Sequence, residues 1–166
     1  MNKHTSKHLG ELEFIETEEG FSHIITEYNG QELSISFVDI SEDTIKLCWD
    51  IIDQYEKVNE IARNTIIENF HEDTDIQDYF DYIFENYEED ELIEIFGVKS
   101  IKNLDIKKTV ANMSYPSLFF RANYRETGDF FVMVIFGLFE GADIDGEVLE
   151  VKMDENFNVQ SFSMST

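Results

Sequence analysis

The chain has 166 residues, with 36 Asp and Glu against 12 Lys and Arg, for a formal net charge of −24. That length favours a single domain, which buries roughly 70% of its unfolded surface and needs no disulfide or metal to do so. Fifteen Phe and seven Tyr exclude a disordered acidic tail, and the charge argues against nucleic-acid or anionic-membrane partners.

Residues 1–8 contain Lys3, His4, Lys7 and His8 with no apolar run behind them. They read as a flexible tail, and no signal peptide is expected. Residues 9–40 read as three strands. "ELEFIE" alternates with Leu12 and Phe14 on one side, and "FSHIITEY" follows the turn "EEG". Asn29-Gly30 then marks a two-residue hairpin, because both positions tolerate positive φ. In "ELSISFVDI", Leu33, Ile35 and Phe37 share one face and Ser34 and Ser36 the other, as in a half-exposed antiparallel strand.

Residues 41–113 read as helical. Ser41 with Glu42 and Asp43 behind it suits a helix start. Ile45, Cys48, Trp49, Ile52, Tyr55, Val58, Ala62 and Ile66 recur at helical spacing, so one long helix to about Phe70 is predicted. Next, Ile76, Tyr79, Phe80, Ile83, Phe84 and Tyr87 form a single apolar stripe. Asp75, Asp78, Asp81, Glu85 and Glu88 take the remaining positions, pointing into water. "EEDELIEIFG" reads as a short helix stopped by Gly97, and Asp105 as the cap of another. Between Asn64 and Val98 there are twelve acidic residues and no Lys or Arg. Lys99, Lys102, Lys107 and Lys108 follow at once, placed to face those acids within the molecule.

After Pro116, residues 115–166 read as four strands. "SLFFRANY" alternates. "FFVMVIFGLF", Phe130–Phe139, does not, which predicts a central strand covered on both faces, with a bulge at Gly137. Its ten residues are too few for a transmembrane helix, which needs about twenty. "EVLEVKM" and "FNVQSFSM" complete the set. The expected fold is therefore α+β: an antiparallel sheet of about seven strands, three N-terminal and four C-terminal, with the helical segment packed on it.

No nucleophile elbow, P-loop, zinc-protease, dithiol or dinucleotide motif is present. Cys48 is the only cysteine and lies on the apolar stripe, so it reads as a core residue. "DTDIQD", from Asp73, begins like a calcium loop but has Asp78 where the glycine belongs and Phe84 where the bidentate Glu belongs. Glu68 and His71 make one Glu-x-x-His, where a di-metal bundle needs two. Asp143, Asp145 and Glu147 in "GADIDGEV" are the remaining candidate metal cluster, although Asp-Gly is turn chemistry and a solvated turn is the favoured reading.

The termini resemble a known family. "DGEVLEVKMDENFNVQSFSMST" looks like the closing hairpin of small bacterial proteins catalogued as domain of unknown function two thousand and four, with the turn Asp154-Glu155-Asn156 between its strands. "HLGELEF", "NGQELSISF" and "DQYEKVNEIARNTIIENF" are similar to its opening strands and long helix. The likeness spans most of the chain and implies no catalytic residues. It implies an interaction or immunity protein by analogy alone.

The expectation is a non-enzymatic, cytoplasmic binding protein, monomer or homodimer, without a cofactor. Its partner would be a basic protein held by Asp75, Asp78, Asp81, Glu85, Glu88 and Glu89. An immunity protein complementing the phosphate-binding site of a toxin is one form. The alternatives are a DNA mimic, or a small metal-binding or hydrolytic domain using Asp143, Asp145 and Glu147.

Overall fold

The computed structural model describes residues 3–13, 15–16, 21–122, 129–138 and 146–165. The chain opens with β1 (Lys3–Ser6), β2 (Gly10–Glu13) and β3 (Ile15–Glu16), then β4 (Phe21–Tyr28) and β5 (Gln31–Val38). The hairpin between β4 and β5 turns on Asn29 and Gly30, whose φ values of 49° and 83° are those the dipeptide favours. Five helices follow: α1 (Glu42–Ile52), α2 (Tyr55–Asn69), α3 (Thr74–Asn86), α4 (Glu89–Phe96) and α5 (Ile106–Ala111). A single 3-10 turn, Ile101–Asn103, lies between α4 and α5. The strands β6 (Ser117–Arg121), β7 (Phe131–Phe136), β8 (Val148–Met153) and β9 (Val159–Ser165) end the chain.

Among the described residues the main sheet has seven strands in the order β3-β4-β5-β6-β7-β8-β9. The fold class is therefore α+β as expected, but the sheet is mixed. β5 and β6 run parallel, with Ile35 beside Leu118 and Phe37 beside Phe120, and every other pairing in the sheet is antiparallel. A parallel pair needs a crossover connection, and here the whole helical layer is that connection. It returns the chain to the end of the sheet from which β5 set out.

Pleating then sorts the side chains. Leu33, Ile35 and Phe37 of β5, Leu118 and Phe120 of β6, Val132, Val134 and Phe136 of β7, and Leu149, Val151 and Met153 of β8 are buried in one core with the helices. Ile52, Tyr55, Val58, Ala62 and Ile66 meet them from α1 and α2, and Ile76, Tyr79, Phe80 and Ile83 from α3. The apolar stripe of α3 thus turns inward as its spacing predicts, buried from Ile76 to Ile83 and half-buried at Phe84 and Tyr87. Ser34, Ser36, Phe119, Met133, Ile135 and Glu150 occupy the opposite face and are half-buried.

Three expectations are corrected. Residues 3–8 are not a loose tail, because β1 and β2 pair as a separate hairpin. His4 stacks on Trp49 at 4.7 Å, with its Nε2 2.8 Å from Asp53 Oδ1. Ser6 Oγ accepts the backbone N–H groups of His8 and Leu9. "ELEFIE" accordingly supplies two strands in two sheets. The long helix is two helices. At Asp53-Gln54 the chain steps out, and the N–H groups of both bond to carbonyls in the last turn of α1, at Trp49 and Ile51. Gly137 is not a bulge. It follows β7, where its N–H donates to Ser114 Oγ at 2.9 Å and its carbonyl accepts the Ser114 N–H at 3.1 Å. The segment entering β6 is thereby tied to the end of β7.

Because β7 has strands on both sides and a covered face, its Val132–Phe136 amides should be among the slowest to exchange with deuterium. Exchange as fast as in the edge strand β9 would contradict the strand order. Cys48 is fully buried, and burial pushes its thiol pKa up. At neutral pH a thiol reagent should therefore modify it only at the rate of unfolding. Complete labelling of the native protein within minutes would disprove that packing.

Candidate protein-interaction site

The acidic surface is built on α3 and α4. Asp73 starts α3 by accepting the Ile76 N–H at 3.0 Å. With the apolar stripe facing the core, Asp75, Asp78, Asp81 and Glu85 fall on the outer side, and all four are exposed. Among the described residues none of them has a cation within ion-pair distance. Tyr82 lies in the same row and is 40% exposed.

Glu88 and Glu89 are exposed too, but they have structural partners. Glu88 caps α4, and its N–H donates to Glu91 Oε2 at 2.9 Å. Glu89 lies 3.5 Å from Lys99, a surface pair worth about 0–1 kcal/mol. Lys99 is the one lysine of its cluster in an ion pair among the described residues. Lys102 shares a shallow cleft with Asp81, and Lys108 faces α4 across a larger one.

α4 ends at Gly97, whose φ of 74° suits only glycine well. Leu92 points inward at 2% exposure, while Ile93 and Ile95 remain 43% and 37% exposed. They line a cleft of about 1080 Å³ between α4 and α5, together with Tyr87, Phe96 and Leu138. Glu91, Glu94 and Asp105 supply acidic lining, opposed by Lys108 alone.

A second cavity of about 220 Å³ adjoins it, sharing Asn86, Tyr87 and Leu138 and adding Tyr82 and Glu147. Glu147 Oε2 lies behind the cavity wall, with almost no accessible surface and no hydrogen-bond partner among the described residues. The hydroxyl of Tyr79, fully buried on the inner side of α3, also has none among the described residues. Burial raises the Tyr79 pKa, and the charges of Tyr87 and Glu147 add to the effect. Tyr87 is raised for the same first reason, with Glu91 and Tyr82 contributing.

Of the candidate metal cluster, Asp143 and Asp145 lie outside the described residues. Among the described residues no three His, Cys, Asp or Glu side chains gather as a metal would require. No helix among them is long and apolar enough to cross a membrane.

The acidic row is legible in the sequence, and the apolar residues beside it are less so. In "LIEIF" Leu92 and Phe96 are one turn apart on the inner side and Ile93 lies off that stripe, whereas Ile95, three positions after Leu92, falls where spacing predicts burial and is nonetheless 37% exposed. No comparable signal joins Glu147 to Tyr82, which lie 65 residues apart in the chain. Comparison with known proteins finds no matching family model, no matching curated protein and no matching solved structure.

Proposed function

We propose that this chain is a non-enzymatic binding protein of the cytoplasm whose acidic α3–α4 surface engages a basic protein, with a toxin neutralised by its immunity protein as one concrete form. The observation that carries the reading is the row Asp75, Asp78, Asp81 and Glu85, exposed and without cations among the described residues. Like charges at i+3 or i+4 repel by about 0.2–0.5 kcal/mol per pair. A helix shaped for stability alone would interleave lysines there. Such a surface steers a basic partner into encounter and raises the association rate. Tyr82, Ile93 and Ile95 supply the apolar contacts that charge alone lacks, and aromatic anchors of this kind dominate interface energies. The likeness of the termini to domain of unknown function two thousand and four belongs to the same proposal.

The test is charge reversal on the outer side of α3. Asp78→Lys with Asp81→Lys removes two like-charge contacts, so the melting temperature should hold or rise. Capture of basic proteins from the host lysate at physiological salt should be lost. Capture by the unmodified chain should likewise fall steeply toward about 1 M salt, where screening acts within about 3 Å. A double variant that still captures the same proteins would reduce the acidic row to a solvated helix face.

A further inference from the structure

We infer that the free edge of β9 takes up an extended, basic segment of the protein partner as a further strand of the main sheet. The inference rests on the reading that the partner is basic and names the backbone surface that would hold it.

A sheet edge presents unpaired N–H and C=O groups, and native chains guard it with very short strands, charged side chains or proline. The two ends of this sheet are treated differently. At one end β3 is two residues long. At the other, β9 runs for seven residues, Val159–Ser165, with no Asp, Glu, Lys, Arg, Pro or Gly among them. Among the described residues it pairs with β8 alone. The pairing is regular from Val148 beside Ser165 to Lys152 beside Ser161, and the register shift lies at Met153, where β9 begins. Every second residue of the regular stretch turns its N–H and C=O away from β8. In a chain of net charge −24, this edge lacks the usual guard.

The side chains agree with an added strand. Leu149 and Val151 of β8 are fully buried, whereas their β9 neighbours Met164 and Phe162 are only half-buried. A further strand would cover both. α3 is the helix that packs on β9, and it carries the exposed row Asp75, Asp78, Asp81 and Glu85. A Lys or Arg on the helix side of the added strand would lay its methylene stem along Phe162 and Met164 and present its charge to that row. The far side offers Ser161, Ser163 and Ser165, and Glu150 already accepts from the hydroxyls of the last two. The other candidate occupant is β9 of a second copy. Antiparallel pairing of that kind would bring two acidic α3 rows together across a two-fold axis, so charge favours the basic segment. Strand addition of this type takes its affinity from main-chain hydrogen bonds and its selectivity from alternate side chains.

The experiment titrates the full 15N-labelled chain with a blocked peptide of alternating Lys and Thr, seven residues long to match β9. The same peptide with Glu for Lys, and the Lys peptide with every amide N-methylated, are the comparison probes. The Lys peptide should shift the Val159–Ser165 amides saturably, with half-saturation at or below about 1 mM, and should slow their exchange with deuterium. N-methylation removes the donors of the added strand and should weaken binding about tenfold or more. The Glu peptide should not bind. Asp78→Lys with Asp81→Lys should weaken the Lys peptide about tenfold. No binding of the Lys peptide, shifts confined to α3, or equal binding of the N-methylated peptide would each overturn the edge site. Loss of lysate capture in the double variant alongside any of these would leave the acidic surface standing without it. Equal binding of the Lys and Glu peptides would refute the basic occupant itself. Protection of the β9 amides that rises with protein concentration in the absence of peptide would put a second copy in its place.

Discussion

Phe80→Ala is expected to lower the stability of the fold by about 3–5 kcal/mol. Phe80 is wholly buried at the centre of the α3 stripe. Its ring meets Phe70 edge-on at 5.6 Å, just beyond the end of α2, and Tyr79 at 5.1 Å. Truncation leaves a void between the helical layer and the sheet that neither Ile76 nor Ile83 can close without moving α3. For a chain of this length each kcal/mol shifts the melting temperature by about 2–4 °C, so a fall on the order of 10 °C or more should be seen by calorimetry. A fall under about 2 °C would mean that α3 is not packed as described, and its apolar side would then have to be counted as surface.

The second large effect is expected at Arg63, in the middle of α2. Its Nη1 donates to the carbonyls of Val110 and Met113, and its Nη2 to those of Met113 and Ser114, the last at 2.8 Å. Nε donates to Asn59 Oδ1, and the guanidinium lies 5.0 Å from the centre of the Phe136 ring. One side chain thus joins α2, the end of α5, the approach to β6 and the tip of β7. Burial lowers its pKa, yet the three carbonyl acceptors are satisfied by it. Arg63→Met keeps the apolar stem and strands those carbonyls, at an expected cost of about 2–4 kcal/mol in urea unfolding. Arg63→Lys should recover less than half of that, since an ammonium cannot fork between Val110 and Ser114. A loss under about 1 kcal/mol for the Met variant would show that water replaces the guanidinium without strain.

How much of this was legible from the sequence follows from how far apart the causes lie. Asn29-Gly30, the stripe from Ile76 to Tyr87, the stop at Gly97 and the cap at Asp105 each rest on residues within a few positions of one another. All four are found as their spacing predicts. The break at Asp53-Gln54 was invisible because Ile52 and Tyr55 keep helical phase across it. The β1–β2 hairpin was invisible because its anchor, Trp49, is more than forty residues from His4. The parallel pairing of β5 with β6 has no local cause at all. The same holds for the smaller cavity: Tyr82 and Tyr87 come from the end of α3, while Glu147 arrives on the segment before β8. Glu147 had drawn notice only as a metal candidate beside Asp143 and Asp145. Arg63 belongs to no sequence motif, and its three carbonyl partners come together only when α5 folds back on α2.

The parallel pairing also sets the order in which the molecule can be made. When a ribosome has released β5, one edge of that strand has no neighbour, and Leu33, Ile35 and Phe37 have no helices over them. The strand that completes that edge begins at Ser117, almost eighty residues later. Throughout that interval the nascent chain carries an open, apolar strand edge of the kind that pairs with other chains. The intervening segment is the one with twelve acidic residues and no basic ones between Asn64 and Val98. Its charge therefore holds neighbouring nascent chains apart during the period when the half-built sheet is most open to aggregation.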